Sequence, residues 1–185
     1  MDKKDYAALF RSLHPGHFDR PDIKELPGDI VFEEMILPLA EFDIGRYPKS
    51  FGGDVTFGIY RGSPEALREA VAEVDEGWVQ FFDENSRVYC GYVGADIAGF
   101  CIIDDMGTHS VNGRTIKAGG PGCVGTRPEY RGKGIGLAIV ANATEILKNE
   151  GFDISYIHYT HVAPWYAKLG YRTVVKWGRD GIIEQ

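Results

Sequence analysis

Apolar residues alternate with polar or small residues along several short stretches of the chain, which is the pattern of β-strands with one buried face. The first clear stretch is Val55 to Tyr60. Arg87 to Val93 and Ile97 to Ile103 follow, and the Gly94-Ala95-Asp96 segment between them favours a tight turn. The latter two stretches therefore predict a β-hairpin.

A second hairpin is predicted at Asn112-Gly113, because both residue types tolerate the positive φ that a tight turn needs. Its returning arm runs from about Arg114 to Thr126. Two further strands are expected at Ile154 to Thr160 and at Tyr171 to Trp177.

Helical periodicity appears in three other segments. Ser63-Pro64 supplies a capping hydroxyl and a first-turn proline ahead of Ala66 to Val74. A short helix is expected at Pro164 to Leu169. The longest helix is predicted between residues 134 and 149 and stops at Gly151. Its apolar residues share one face, namely Ile135, Ile139, Ala143, Ile146 and Leu147.

The predicted order is strand, helix, three antiparallel strands, helix, strand, helix and strand. This order predicts a mixed α/β (α+β) fold, with a mostly antiparallel central sheet and flanking helices. The longest helix directly follows the fourth of these strands, so it begins where that strand ends.

Residues 1–52 lack such regularity. A short helix near Tyr6 to Leu13 and an extended stretch near Ile30 to Leu37 are predicted there, and Gly52-Gly53 marks a junction. We therefore expect an irregular N-terminal extension, residues 1–52, packing on a domain of residues 53–185. The prolines that interrupt the extension are Pro15, Pro21, Pro27, Pro38 and Pro48.

The composition is that of a globular protein, with 44% hydrophobic and 25% charged residues among 185. A formal net charge of −7 disfavours a nucleic-acid partner, which would require a basic face. No apolar run has the ~20 residues of a membrane span, and the N-terminus has no signal-peptide core, so no membrane partner is expected. Cys90, Cys101 and Cys123 include no CxxC pair, which predicts no metal site and a reducing, cytoplasmic location.

The segment from Val124 to Gly136 (VGTRPEYRGKGIG) leaves a strand and enters the longest helix. A helix start has unpaired N–H groups and the positive end of a dipole, so it can hold an anion. Glycines at alternate positions remove Cβ atoms that would keep a phosphate from the backbone. Arg131 and Lys133 add positive charge. The segment therefore predicts a phosphorylated ligand.

Two common phosphate motifs do not fit this segment. The dinucleotide pattern GxGxxG fails because Leu137 or Ile139 stands at the third glycine position. The nucleoside-triphosphatase loop fails because no Gly-Lys-Ser/Thr ends a GxxxxGK run.

The arrangement R-G-x-G-x-G, preceded by V-G-T-R-P-E-Y, resembles the acetyl-CoA signature of the GNAT superfamily of N-acetyltransferases. The run from Ala163 to Tyr171 (APWYAKLGY) is similar to the late motif of that superfamily. Both motifs occur in the expected order, and the resemblance covers about residues 53 to 178. It implies a GNAT-like acyl-CoA N-acyltransferase fold.

The resemblance also implies that acetyl-CoA is the co-substrate, with pantetheine in a gap between the fourth and fifth strands of the superfamily fold. Main-chain groups of the fourth strand and of the loop before the helix would bind it. The corresponding residues of this chain are Val124, Gly125, Thr126, Arg131, Gly132, Lys133, Gly134, Ile135, Gly136 and Leu137.

Direct attack of an amine on the thioester requires a deprotonated amine, donors for the oxyanion and an acid for the sulfur. Tyr166 matches the family tyrosine that often serves as the acid; the alternative is a half-buried packing residue. Some members have a glutamate base on the fourth strand, but this strand has no carboxylate. His158 is the remaining candidate base, although a hydrogen-bonded core histidine is the favoured interpretation.

Other polar residues receive weaker interpretations. His161 is expected in a loop. Asp104 and Asp105 are expected after the third strand, where they could attract an amine, although a turn-forming or solvated role is favoured. Cys123 has no neighbour in sequence that would stabilise a thiolate, which disfavours an acetyl-cysteine intermediate.

The sequence thus predicts an N-acetyltransferase that acts on a primary amine of a small molecule or peptide. The alternative is a non-catalytic acyl-CoA-binding or regulatory module. Gly119, Gly120 and Gly122 suggest a roomy acceptor pocket, partly roofed by residues 1–52. That segment could equally form a structural wrap or a homodimer contact.

Overall fold

The computed structural model describes residues 1–47 and 54–183. These residues form eight β-strands. The strands are β1 (Phe32–Pro38), β2 (Val55–Ile59), β3 (Val88–Val93), β4 (Asp96–Val111), β5 (Arg114–Thr126), β6 (Ile154–Thr160), β7 (Arg172–Gly178) and β8 (Gly181–Ile183). The α-helices are α1 (Lys3–Leu13), α2 (Pro21–Lys24), α3 (Pro64–Ala72), α4 (Ile135–Asn149) and α5 (Ala163–Ala167).

The strands form one sheet in the order β2-β3-β4-β5-β6-β1-β7-β8. Neighbouring strands are antiparallel except β5 and β6, which are parallel. The predicted mixed, mostly antiparallel sheet with flanking helices is therefore confirmed.

The predicted element order lacks two strands that the sheet contains, β1 and β8. Strand β1 pairs with β6 on one side and with β7 on the other, so the first 47 residues contribute an interior strand. Phe32 and residues 34 to 37 are buried on both faces of the strand, so β1 lacks the alternation of a half-exposed strand. The expected junction at Gly52-Gly53, and Pro48 before it, lie outside the described residues.

The two faces of the sheet are covered by different helices. On one face, Ile135, Ile139 and Leu147 of α4 pack against β3 and β4. Each of the three is at most 1% exposed, and burying each contributes roughly 1.5–3 kcal/mol. On the other face, α1 packs Leu9 against Ile36, the neighbouring strands and the β4–β5 hairpin.

Helix α1 begins at Lys3, earlier than the sequence predicted. Asp2 and Asp5 form a capping box there, in which each carboxylate accepts a hydrogen bond from the backbone N–H of the other residue. Among the described residues, no helix has both the length and the apolar character needed to cross a membrane.

Candidate active site

Strands β5 and β6 pair over only two positions and then separate. The pairs are Ala118 with Ile154 and Gly119 with Ser155. At the next residue, a Cβ on Gly120 would lie 1.9 Å from the carbonyl oxygen of Tyr156, so only glycine permits this close approach. The remainder of β5 lies beside a gap in the sheet.

The glycines of β5 therefore serve packing more than pocket volume. A Cβ on Gly119 would lie 2.8 Å from both Leu147 and Phe152, and Gly120 is closed by Tyr156. Only Gly122 of the three lines a cavity described below. The expected roomy space above Gly119 and Gly120 is absent, because neighbouring side chains and backbone fill it.

A β-bulge interrupts β5 beside the gap. Phe100 pairs with Gly125 and Ile102 pairs with Gly122, so two residues of β5 lie opposite one residue of β4. These two residues of β5 are Cys123, whose φ is 45°, and Val124. A bulge changes the direction of side chains and disrupts the hydrogen bonds of the ladder. Cys123 and Val124 can therefore contact ligands beside β5.

Helix α4 begins immediately after β5 and a glycine-rich loop. Its N-cap is Gly134, which has a φ of 80° and no side chain to cap the helix. The first-turn N–H groups are therefore left for another acceptor, and the helix dipole favours an anion there. Gly132 also has a positive φ, 77°, and a Cβ at this residue would meet no atom within 4 Å.

Gly136 also serves the packing of the helix start. A Cβ at this residue would lie 2.7 Å from Thr126 Oγ1, so the glycine lets the helix start pack on the end of β5. The loop is further fixed by Arg131, whose Nε donates a hydrogen bond to the Thr126 carbonyl oxygen at 3.0 Å.

The loop, the helix start and α5 surround a cavity of about 640 Å³, which we call the cradle cavity. Its lining includes nine of the ten residues predicted to bind the cofactor, and Lys133 is the exception. The lining residues are Val74, Val124, Gly125, Thr126, Tyr130, Arg131, Gly132, Gly134, Ile135, Gly136, Leu137, Val162, Trp165, Tyr166 and Lys168. The structure thus brings Tyr166 together with the predicted phosphate loop.

Tyr166 lies in α5 and is only 7% exposed. It shares a buried cluster with Met35 and Leu37 of β1 and with Ile157 of β6, and the Trp165 ring contacts its edge. Burial raises the pKa of the Tyr166 hydroxyl above its usual value of 10.0, and nearby Tyr171, Cys101 and Cys123 contribute. The hydroxyl is therefore protonated at neutral pH and can act only as a proton donor.

A second cavity, of about 760 Å³, adjoins the bulge from Cys123 and Gly122. We call it the acidic cavity, because its lining includes the carboxylates of Asp83, Asp104 and Asp105. Glu150 also lines it but forms a two-pronged ion pair with Arg87, at 2.6 and 2.8 Å. The bulge thus presents Val124 to one cavity and the adjacent Cys123 to the other.

Of the two expected roles of Asp104 and Asp105, the turn is not formed, because β4 continues through them to Val111, whereas both residues are exposed to solvent. Asp105 accepts a hydrogen bond from the Gly107 N–H at 2.8 Å. The Asp104 carboxylate has no hydrogen bond or ion pair with another described residue. Its carboxylate is open to the cavity, but the surrounding protein partly desolvates it and raises its pKa above 3.8. Both features suit a group that meets a ligand.

Burial raises the pKa of the Cys123 thiol to about 11, with a further contribution from Asp104. A thiolate at this position is therefore disfavoured at neutral pH, in agreement with the sequence.

His158, the other predicted catalytic residue, lines neither cavity. Its Nδ1 lies 2.9 Å from the Oε2 atom of Glu34, a carboxylate with no solvent exposure. Its ring stacks on His14 at the end of α1, with the ring centroids 3.8 Å apart. Burial, with His158 nearby, lowers the pKa of His14 to about 3, so this imidazole is neutral at neutral pH.

Sequence reasoning missed Glu34 entirely. The signal was weak: Glu34 is one of two adjacent glutamates in a strand whose inward pattern continues at Phe32 and Ile36. An inward position predicts burial even for a charged residue, but only the fold identifies its partners.

The acetyltransferase (GNAT) domain family matches residues 66–174 of the chain. A comparison with curated protein sequences gives no significant match.

Three solved structures have a similar fold. One contains the GCN5-related glucosamine N-acetyltransferase region of a fungal multi-domain GH3 β-N-acetylglucosaminidase, with a TM-score of 0.64 and 21% identity over 81% of this chain and 20% of that one. A GCN5-related N-acetyltransferase from Sphaerobacter thermophilus has a TM-score of 0.57 and 19% identity, over 77% of this chain and 48% of that one. Another, from Kribbella flavida, has a TM-score of 0.56 and 15% identity, over 80% of this chain and 56% of that one. This chain thus spans only part of each of these structures.

Proposed function

Because the chain belongs to the GNAT acetyltransferase family, we propose that it transfers an acetyl group from acetyl-CoA to a primary amine of a small molecule or peptide. The observation that carries this proposal is the β5 bulge. Val124 lines the cradle cavity and adjacent Cys123 lines the acidic cavity, so two reactants can meet across one strand.

The residues around the cradle cavity fit a coenzyme A thioester. The uncapped start of α4 offers backbone N–H groups to a diphosphate, and Arg131 lies beside it. Val162, which is 54% exposed, and Trp165 supply apolar surface for a pantetheine arm. The main chain of Val124 and Thr126 would hydrogen-bond that arm. The thioester supplies the acetyl carbonyl that the amine attacks.

Tyr166 is proposed as the acid. As the amine nitrogen bonds to the carbonyl carbon, the carbon–sulfur bond breaks and the Tyr166 O–H donates its proton to the departing sulfur. The tyrosine then recovers a proton from solvent. Proton transfer as the carbon–sulfur bond breaks lets coenzyme A leave as the neutral thiol instead of the thiolate.

Asp104 is proposed to bind the acceptor from the acidic cavity. A cationic amine would find a carboxylate that has no other partner among the described residues and that adjoins the bulge through Gly122 and Cys123. The raised pKa of Asp104 also makes it a better proton acceptor than an ordinary aspartate. Asp104 is therefore better placed than His158 to remove a proton from the bound amine, directly or through water.

The direct test is release of free thiol from acetyl-CoA across a panel of amines that includes polyamines, amino sugars, amino acids and peptides. We expect acceptor-dependent thiol release with at least one cationic amine, and the acetylated amine as product. A non-catalytic acyl-CoA-binding module would bind acetyl-CoA without any acceptor-dependent release, and that result would reject the proposed transfer.

A further inference from the structure

Three distant segments of the chain bring potential metal ligands together on the α1 face of the sheet. His14 ends α1, Glu34 lies in β1 and His158 lies in β6. One nitrogen or oxygen atom from each residue lies within 4.8 Å of the other two. Two imidazoles and one carboxylate are a ligand set found in zinc sites.

Glu34 is held in a fixed orientation by buried partners. Its Oε1 accepts hydrogen bonds from Trp177 Nε1 at 2.6 Å and from the Tyr159 backbone N–H at 3.2 Å. His158 Nδ1 lies 3.0 Å from Oε1 and 2.9 Å from Oε2. Outer hydrogen bonds of this kind commonly orient the ligands of a metal ion. A carboxylate without solvent exposure also requires a compensating positive charge.

Two buried nitrogens of the same cluster have no hydrogen-bond partner among the described residues. They are Nε2 of His14 and Nε2 of His17. His17 is only 3% exposed, and its ring lies 5.5 Å from the His158 ring. Buried polar atoms are nearly always paired, and an ion is one of the partners that accounts for exceptions.

From this arrangement we infer that His14, Glu34 and His158 bind a divalent transition-metal ion, with Zn²⁺ as the best match. Imidazole and carboxylate ligands suit zinc better than calcium or magnesium, which prefer oxygen alone. His158 Nδ1 and Glu34 Oε2 lie 2.9 Å apart, and the His14 ring, which stacks on the His158 ring, would turn to direct a nitrogen at the same ion. Water or the adjacent His17 completes the coordination.

Binding at His158 Nδ1 requires that nitrogen to give up its proton. The proton moves to Nε2 of the same ring or leaves to solvent, and the bond that it makes to Glu34 Oε2 is replaced by two bonds to the metal. The sequence analysis expected no metal because it considered only the cysteines, and none of these three ligands is a cysteine.

The ion would fasten α1 and β1 to β6, and thus the first 47 residues to the sheet. His14, Glu34 and His158 line neither the cradle cavity nor the acidic cavity. The site is therefore structural, and its existence does not depend on the proposed acetyl transfer.

The test is a zinc titration of the full chain after treatment with a chelator, in competition with a chromogenic zinc indicator. We expect uptake of one equivalent. His14→Phe keeps an aromatic ring on His158 but removes a ligand nitrogen, and should weaken zinc binding at least tenfold, as should His158→Phe. His161→Phe is the matched control, because His161 contacts Phe32 outside the ligand set and its replacement should leave zinc affinity unchanged.

Zinc should also raise the melting temperature of the wild type and of the control, but not that of the two ligand variants. No stoichiometric uptake by the wild type, or wild-type affinity in His14→Phe, overturns the site and leaves His158 and Glu34 as a simple ion pair. Where a ligand variant does not unfold cooperatively, Co²⁺ added to the wild type decides. The intense visible absorption of four-coordinate cobalt supports the site, and the weak spectrum of hydrated cobalt overturns it.

Discussion

The cradle cavity and the His14–Glu34–His158 cluster are built in opposite ways. Most of the cradle lining comes from one short run of sequence, and the groups that we propose bind an anion are backbone N–H groups at the start of α4. The cluster comes from three segments, and its donors are side chains held by buried partners. Local backbone chemistry can therefore be recognised in a sequence, whereas a side-chain site assembled by the fold cannot.

The acidic cavity resembles the cluster in this respect. Asp83, Asp104 and Cys123 come from different parts of the chain and meet only because β4 and β5 pair beside the loop that contains Asp83. The proposed transfer site would therefore combine local backbone groups in the cradle cavity with side chains that the fold brings together in the acidic cavity.

The largest expected effect concerns Tyr166, the proposed acid in the cradle cavity. Tyr166→Phe should lower kcat about 100-fold or more while leaving acetyl-CoA affinity almost unchanged, because it removes a proton donor and no backbone contact. Steady-state kinetics and calorimetry measure the two quantities. Tyr171→Phe makes the same chemical change at a residue hydrogen-bonded to Ser155 and Thr144, and should lower stability without lowering kcat. Equal kcat in Tyr166→Phe and the wild type would remove the tyrosine from the reaction.

A negative charge introduced at Gly132 tests whether the diphosphate of acetyl-CoA binds at the start of α4. Gly132→Asp and Gly132→Asn impose the same strain at a positive φ, and their side chains enter open space. Only aspartate places a negative charge beside the diphosphate, so it should bind acetyl-CoA about thirtyfold more weakly than the asparagine variant. The difference should shrink with added salt. Identical affinities for the two variants would place the diphosphate elsewhere.

A substitution of Asp104 tests the proposed binding of the acceptor amine in the acidic cavity. Asp104→Asn should raise KM for a cationic amine about tenfold, because a charged hydrogen bond is lost, and should leave KM for acetyl-CoA unchanged. Asp153→Asn is the control, since Asp153 accepts a hydrogen bond from the Lys117 N–H and does not line the acidic cavity. Equal KM values for the amine in both variants would contradict the proposed acceptor position.

The smallest effect is expected at the rim of the acidic cavity. The Arg87 guanidinium lowers the pKa of Glu150 below its usual 4.5, so their pairing stabilises the fold above that pH and is lost as the pH falls through the lowered value. Both side chains are about 40% exposed, which limits the contribution to about 1 kcal/mol. Arg87→Met should therefore lower the free energy of unfolding slightly at pH 7, and the difference from the wild type should shrink at a pH well below 4.5. An equal difference at both pH values would mean that packing, not charge, is lost.

The sequence was sufficient for the elements whose signals are local. The Asn112-Gly113 turn, the start of α4 and the motif around Tyr166 depend on residue type and spacing alone. Strand β1 was not recognised as part of the sheet because its neighbours in the sheet, β6 and β7, lie more than 100 residues further along the chain. Asp104 was expected in a turn or a solvated position after the third strand. Pairing with β5 carries β4 past it, while its side chain is exposed.

The most direct test of the account compares acetyl-CoA with an acetyl-pantetheine that lacks the diphosphate, by calorimetry on the ligand-free protein. We predict one-to-one binding of acetyl-CoA, at least tenfold tighter than that of the shorter thioester, because the α4 start holds the diphosphate. No association with acetyl-CoA, or equal affinity for the two thioesters, would contradict the cradle.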